Sequence, residues 1–319
     1  MNNFEKKSLR ILKSAYKRFS LTPGTPIKAD LTGQRASDLI KQTLTSDRPC
    51  MICRFGSVEL NAILRYVDIN TSQSPGKKFL SYLRDEIGEF WWDERTRQKM
   101  LNNAGFFPAT DEALNRFCRK TLDDITRIDI LASWQQEDFR LRKYFPEATI
   151  IHLHDLKPWI HQAPWSAALN EKKVLVVHPF SKTITEQYKR HDRLFANKDI
   201  LPDFELITLK AVQSIGGTEV PFTTWFDALD FMCNKISNTD FDVAIIGAGA
   251  YGMPLASFVK SIGKKAVHLG GATQMLFGIR GKRWDKQALQ QNLYNQYWVR
   301  ASKNETPDNF KAVEKGCYW

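Results

Sequence analysis

The sequence contains no long hydrophobic run. No stretch approaches the roughly 18 consecutive apolar residues that a transmembrane helix needs, and no apolar segment with a small-residue cleavage site follows the basic N-terminus. The sequence therefore predicts neither a membrane-spanning helix nor a signal peptide, and it favours a cytoplasmic location. Internal repeats and low-complexity tracts are also missing, which argues against repeat architectures and disordered tracts.

Cysteine is scarce. The chain has five cysteines, and this odd, irregularly spaced set argues against the disulfide framework of a secreted domain. Cys50 and Cys53 form a C-x-x-C pair inside an apolar run. A zinc site needs two further ligands, and the sequence offers no second C-x-x-C pair. We therefore interpret both cysteines as buried residues of a β-strand.

Acidic residues are outnumbered. The chain has 46 Lys and Arg against 35 Asp and Glu, and residues 1–48 hold ten of the basic residues but only four acids. Within this region, residues 4–19 have apolar side chains at helical spacing and predict a basic amphipathic helix. Such a helix suits peripheral contact with the inner face of the membrane, or packing on the core with a solvated basic face. Nucleic acid is not an expected partner, because the charge does not alternate with aromatic residues along one face.

Seven short apolar runs have the pattern of strands that are buried on both faces of a sheet. They occupy residues 51–55, 127–131, 149–153, 174–177, 204–209, 242–246 and 266–269. Helical patterns separate many of them, at residues 58–66, 111–122, 184–195, 224–236 and 253–262. This alternation predicts an α/β fold with a Rossmann-like, doubly wound, mostly parallel sheet, an N-terminal basic helix and a C-terminal extension.

The same pattern predicts three regions. We expect the basic helix and a linker at 1–36, a main domain at 37–285 and the extension at 286–319. Ser37 or Asp38 is the expected N-cap of the first helix in the main domain. Ligands of doubly wound sheets bind at the carboxyl ends of the strands, so the loops that follow the strands are the candidate sites.

The loop after the sixth predicted strand reads Gly247-Ala-Gly249-Ala-Tyr251-Gly252 and opens a helix. Glycines let the backbone approach a diphosphate, and the helix N-terminus supplies N–H groups and a favourable dipole. A dinucleotide site would place an acidic residue at the end of the next strand, where His268 stands instead. We therefore predict that this loop binds a diphosphate that is not part of NAD.

The loop after the first predicted strand contains Arg54, Gly56, Ser57 and Glu59. It again joins a strand to a helix through a glycine turn, so we expect it to contribute to the same binding site. Arg54 can bind a phosphate through two parallel hydrogen bonds. Glu59 lies in the first helical turn, where it can act as a base, bind a metal or simply cap the helix.

Two further loops follow strands three and four. Ser181 begins a helix whose N–H groups suit a phosphate, although its hydroxyl can also serve as a plain cap. His178 can be a general base, a donor to phosphate or a support for the turn. Asp155, after the third strand, is a further candidate base.

The stretch 270–284 combines glycines with polar and basic side chains. Gln274 suits a nucleobase or a sugar hydroxyl, and Lys282 and Arg283 suit a phosphate. The alternative is a solvated basic turn.

Together these stretches resemble the GT-D family of bacterial glycosyltransferases, formerly a domain of unknown function found in polysaccharide and glycoprotein biosynthesis. The matching pieces cover much of the chain between residues 50 and 285; they are residues 54–59, 176–180 with 187–188, 246–252 and 270–284. The resemblance implies that residues 37–285 form a Rossmann-like domain that binds a UDP-sugar. It also implies transfer of the sugar to a saccharide, lipid-linked or glycoprotein acceptor in surface polysaccharide biosynthesis.

The resemblance also bears on a metal cofactor. In the family, the first loop has an Asp-x-Glu pattern that is linked to a divalent cation such as Mn²⁺ or Mg²⁺. Here Ser57 stands at the Asp position. Of the two carboxylates in the family pattern, this sequence therefore keeps only Glu59 as a metal ligand. Because a hard cation prefers carboxylates, we expect Arg54, Lys282 and Arg283 to neutralise the diphosphate instead.

Two other functions stay open from the sequence. One is an NAD(P)-dependent oxidoreductase, for which the glycine-rich loop at residues 247–252 is the sole support. The other is a non-catalytic scaffold of polysaccharide assembly, in which Ser57 marks lost activity. The aromatic tail, which includes Tyr318 and Trp319, fits either packing on the core or holding an acceptor.

Overall fold

The structure, a computed structural model, describes residues 3–17 and 28–319. The predicted end of the basic helix at residue 19 and the chain break at residues 22–26 lie outside the described residues. Within residues 3–17 and 28–319, no helix has both the length and the apolar character that a membrane span needs.

A seven-stranded parallel sheet forms the centre of the protein, with the strand order β3-β2-β1-β7-β6-β4-β5. Its strands are β1 Cys50–Cys53, β2 Ile130–Ser133, β3 Thr149–His152, β4 Lys173–His178, β5 Glu205–Lys210, β6 Val243–Ile246 and β7 Lys265–His268. All seven predicted strands are confirmed, with ends displaced by at most three residues. A separate parallel pair joins β8 Ile279–Arg280 to β9 Val299–Arg300.

Helices cover both faces of the sheet. They are α1 Asn3–Lys17, α2 Gln34–Thr45, α3 Ser57–Ile69, α4 Pro75–Leu83, α5 Glu94–Ala104, α6 Asp111–Asp124, α7 Ser181–Tyr188, α8 Trp225–Ser237, α9 Gly252–Ser261, α10 Ala272–Leu276 and α11 Ala288–Gln291. Alternate residues of each strand enter one of two cores: Met51 packs with α3, α6 and α9, whereas Ile52 packs with α2 and α7. This two-faced burial gives the three-layer α/β arrangement, and Cys50 and Cys53 are buried free thiols within it.

Residues before position 37 already pack on the central sheet. Asp30 pairs with Ile150, since its backbone N–H donates to the Ile150 carbonyl and its carboxylate accepts from the Ile150 N–H. Helix α2 then starts at Gln34 with Gly33 as its N-cap, so the predicted cap at Ser37 or Asp38 is wrong. Ser37 is buried within the helix, and its hydroxyl donates to the backbone carbonyl of Ala163.

Helix α1 contacts the body through its basic side chains. Arg10 pairs with Glu89 and Asp93, and Lys13 pairs with Asp85. These ion pairs form because the facing surface is acidic. The opposite side of the helix carries large apolar side chains that are largely exposed: Phe4 at 79%, Ile11 at 61% and Leu12 at 51%. The helix therefore does not have the predicted arrangement of an apolar face on the core and a solvated basic face.

Candidate functional site

A cavity of about 1110 Å³, measured to its open mouth, lies at the carboxyl ends of β1, β7, β6 and β4. The loop after each of these strands lines it: residues 54–59, 268–271, 247–249 and 178–180. From β1 the chain adds β2 and then β3, which forms one edge of the sheet. It then crosses to β4 and β5 at the other edge, and β6 and β7 fill the positions between β4 and β1. The cavity therefore lies at the point of the sheet where doubly wound proteins bind their ligands.

Arg54 directly follows β1 and lines the cavity. Its guanidinium lies 5.6 Å from the ring centroid of Trp134 and packs along Gly270. Its Nε is buried without a hydrogen-bond partner. Burial is the largest cause that lowers the pKa of Arg54, and the nearby charge of Arg283 adds to it. Because an unpaired buried donor is costly, this position suits an anionic ligand.

Glu59 lies in the first turn of α3, where its carboxyl group folds back over Gly56. A Cβ atom at position 56 would overlap that carboxyl group, so the glycine is required for the conformation. Burial raises the pKa of Glu59, although its own backbone N–H and the charge of Arg54 act in the opposite direction. A carboxyl group with a raised pKa inside a cavity is a candidate acid or base.

His178 and His268 are both neutral near pH 7, because burial lowers the pKa of each to about 3. The Nδ1 atom of His178 accepts the Phe180 backbone N–H at 2.9 Å. The proton of the neutral ring is therefore on Nε2. His178 lines the cavity, so of its three predicted roles this geometry favours a hydrogen-bond donor over a base.

The glycines of the loop after β6 make room for neighbouring groups. A Cβ atom at Gly247 would come within 2.7 Å of the Gly270 carbonyl, and one at Gly252 would overlap the ring of His268. Gly249 has a φ of 55° and lines the cavity. Tyr251 is buried, with its ring stacked on Trp225 at 4.9 Å. Gly247 thus makes room for protein groups around it, Gly249 borders the open cavity, and Gly252 serves the packing of α9 against β7.

The start of α7, where Ser181 was predicted to bind a phosphate, already holds a carboxylate. Glu305 of the C-terminal segment accepts the backbone N–H groups of Lys182 at 2.8 Å and Thr183 at 3.2 Å. The hydroxyl groups of Thr183 and Ser302 donate to the same carboxylate. Ser181 does not line the cavity. The helix N-terminus binds an anion as expected, but the anion is a side chain of the same protein.

Replacing Glu305 by Gln should destabilise the protein by about 2–3 kcal/mol, because the amide retains only one oxygen and no charge for this set of donors. Urea unfolding measures the change. Asp308→Asn is the matched control, since Asp308 is exposed in the same segment and its substitution should change stability by less than about 0.5 kcal/mol. Equal effects of the two substitutions would contradict the anchoring role of Glu305.

The stretch 270–284 contributes one predicted cation to the cavity. Arg283 lines it, forms an ion pair with Glu314 and lies 4.9 Å from the ring centroid of Tyr318. Lys282 is exposed and is not part of the lining. Gln274 does line the cavity, but its amide nitrogen donates to the backbone carbonyls of Ile279 and Tyr318. That amide group therefore holds the polypeptide together.

Asp155 lies away from these residues. It follows β3, the edge strand, and is not part of the cavity lining. Its backbone carbonyl accepts a hydrogen bond from the His161 ring. Conversely, Trp134 and Glu314 line the cavity, although the sequence assigns neither a role, and Trp319 of the aromatic tail lines it as well. The position of Trp134 directly after β2 was the signal that could have identified it.

A resident metal ion does not fit the residues of this cavity. Ser57 and Glu59 both line it, but the carboxyl group of Glu59 lies over Gly56 beside Arg54. Within the described residues, no group of three or more His, Cys, Asp or Glu side chains is placed to hold a metal. Hard divalent cations take several oxygen ligands. We therefore derive no step through a metal ion.

Comparison of the chain with protein-family models, curated proteins and solved structures finds no match. Function is therefore inferred from the chemistry of the cavity.

Proposed function

We propose that the chain is a glycosyltransferase that takes a sugar from a nucleotide-diphosphate donor, most simply a UDP-sugar. The observation that carries the proposal is the meeting of two guanidinium groups, Arg54 and Arg283, with the carboxyl group of Glu59 in one cavity. Glycosyl transfer needs positive charge where the leaving diphosphate develops negative charge, and it needs a base for the acceptor hydroxyl. This cavity offers both within one set of strand-end loops.

The diphosphate would bind between Arg54 and Arg283. Gly247 and Gly249 bring the backbone to the wall of the cavity, and the Nε2–H of neutral His178 supplies a further donor. Preorganised donors of this kind stabilise a leaving group without the cost of reorienting water. Because the cations come from side chains, the proposal does not require a metal ion.

Trp134 would stack on a ring of the donor. Its indole N–H donates to the Phe55 carbonyl at 3.2 Å, which fixes the orientation of the ring. Part of the ring is exposed at the cavity.

Glu59 is the residue that we assign as the base. Burial raises its pKa towards the range in which a carboxylate accepts a proton efficiently. Its position next to Arg54 would place it near the reacting carbon if Arg54 binds the diphosphate. The acceptor, a saccharide, lipid-linked sugar or glycoprotein, would enter through the open mouth of the cavity.

A dinucleotide enzyme has weaker support. The third glycine of the loop, Gly252, packs on His268, and His268 occupies the place at the end of β7 where a ribose-binding carboxylate would stand.

We also propose a cytoplasmic location in bacteria, with peripheral contact at the membrane. The exposed Phe4, Ile11 and Leu12 of α1 support that contact.

A thermal-shift series tests the donor class. We expect UDP to raise the melting temperature, because a ligand that binds only the folded state stabilises it by about 2.7 kcal/mol at 100 times its dissociation constant. GDP, CMP, TDP and NADH are the comparison ligands, each with and without Mn²⁺. The Arg54→Met variant should lose most of the shift.

The other outcomes are equally informative. A shift with NADH alone would contradict the proposal and support the oxidoreductase. No shift with any nucleotide would favour the non-catalytic scaffold. A shift that strictly requires Mn²⁺ would contradict charge neutralisation by arginine.

A further inference from the structure

Two carboxylates of the C-terminal segment lie where phosphates would be expected, and they differ in burial. Glu305 is 3% exposed, and donors at the start of α7 surround its carboxylate. The side chain of Glu314 is 43% exposed, and that of its partner Arg283 is 37% exposed. A buried, fully hydrogen-bonded carboxylate is costly to displace, whereas an exposed ion pair contributes little. Glu305 is therefore a firm attachment, and the pair of Glu314 with Arg283 can exchange.

Residues 314–319, here named the C-terminal tip, form one side of the cavity. Glu314, Tyr318 and Trp319 line it. Several hydrogen bonds attach the tip to the rest of the protein: the Arg283 N–H donates to the Cys317 carbonyl at 2.8 Å, the Lys282 N–H to the Trp319 carbonyl at 3.3 Å and the Gln274 amide to the Tyr318 carbonyl at 3.0 Å. Tyr318 and Trp319 also pack against the core that contains Ile52, so the exposed side chain of Glu314 is the part of the tip that can exchange.

The backbone of the tip is strained at its start. Glu314 has a φ of 45° and Lys315 a φ of 59°, in the left-handed region that residues with a side chain rarely adopt. Such conformations persist only while surrounding contacts hold them. The ion pair between Glu314 and Arg283 is one of those contacts, so its loss would favour rearrangement of the backbone at Glu314 and Lys315.

Arg283 is also one of the two side-chain cations in the lining of the cavity, with Arg54, among the residues that the structure describes. A diphosphate that bridges the two arginines needs the guanidinium that Glu314 holds. Carboxylate and phosphate oxygens bind a guanidinium in the same geometry, so the two anions exclude one another.

We infer that Glu314 of the C-terminal tip is an intramolecular competitor for the diphosphate: its carboxylate occupies Arg283 in the ligand-free protein, and a bound diphosphate displaces that carboxylate. Glu305 keeps the segment attached meanwhile. The inference rests on the proposed function, because the competing anion is the diphosphate of the donor.

Isothermal titration with inorganic pyrophosphate and with UDP tests the competition. Glu314→Gln should bind pyrophosphate roughly two- to fivefold more tightly than the unmodified protein, as expected for release of an exposed ion pair. Asp308→Asn removes one negative charge from the same segment away from Arg283 and is the matched control, with an expected change below about 1.5-fold. The advantage of Glu314→Gln should shrink at high salt, which screens the ion pair.

Hydrogen exchange provides a second readout. Adding pyrophosphate should speed up exchange of the Gly316 amide, because that amide donates to the Val313 carbonyl across Glu314 and Lys315 and the loss of the ion pair loosens this turn. Equal pyrophosphate affinity of the Glu314→Gln and Asp308→Asn variants, or slower exchange on addition of pyrophosphate, would overturn the inference, as would no pyrophosphate binding to any variant. If Glu314→Gln tightens pyrophosphate binding but UDP never binds more tightly than pyrophosphate, the competition stands and the nucleotide-sugar function fails.

Discussion

Replacing Glu59 by Gln should lower the rate of sugar transfer by a factor of roughly 10²–10⁴, the usual contribution of a general base. The amide keeps the shape of the side chain over Gly56 but cannot accept a proton from the acceptor hydroxyl. UDP should bind no more weakly, because the substitution removes a negative charge beside Arg54. Release of UDP from the donor sugar measures the rate, and titration with UDP measures the affinity.

The pH dependence gives an independent signature of the same base. A base works only when it is deprotonated, and burial raises the pKa of Glu59. The rate should therefore rise with pH through a value above the ordinary glutamate pKa of about 4.3, and the Gln variant should lose this rise. Glu112→Gln, the same change in the exposed first turn of α6, is the control and should leave rate and profile unchanged. A Gln variant with an unaltered profile would exclude Glu59 as the base.

The strands could be predicted from the sequence because burial on both faces leaves a strong local pattern. Each strand is a short run of apolar residues, and a glycine or proline soon after β1, β4, β6 and β7 marks the end of these four. The pattern also placed Arg54, Glu59 and His178 directly after strands, and the structure brings all three to one cavity. Helix starts were less predictable. Helix α2 begins at Gln34, after its N-cap Gly33, because the preceding residues pair with β3, a contact that helical periodicity does not contain.

The remaining differences depend on long-range contacts. Strand order decides that Asp155 follows an edge strand, and no local pattern encodes strand order. The binding of Glu305 to the start of α7 joins residues more than 120 positions apart. The basic face of α1 was visible, but the acidic surface that it contacts was not. In the last two cases the group was suited to an oppositely charged partner, and the protein itself supplied that partner.

Gly252→Ala should be the most destabilising of the glycine substitutions in the loop after β6, at about 3 kcal/mol. Gly252 is the first residue of α9 and has a φ of −58°, so its backbone would accept an alanine. The obstacle is space, since the added Cβ atom would overlap the buried ring of His268. Overpacking of a rigid core costs about 1–3 kcal/mol or more, which outweighs the gain of at most about 1 kcal/mol in helix propensity. Unfolding in urea measures the loss.

Two companion variants separate packing from backbone effects. Gly76→Ala makes the same change in the first turn of α4, where a Cβ atom would meet nothing within 4 Å, and it should stabilise the protein slightly. His268→Ala removes the ring that Gly252→Ala would strike, so the double variant should be more stable, by at least about 1 kcal/mol, than the sum of the single losses predicts. Losses that add within about 0.5 kcal/mol would show that Gly252 is not required for the His268 ring. The glycine at position 252 would then need another explanation, and close approach of the backbone to a ligand would be the first to test.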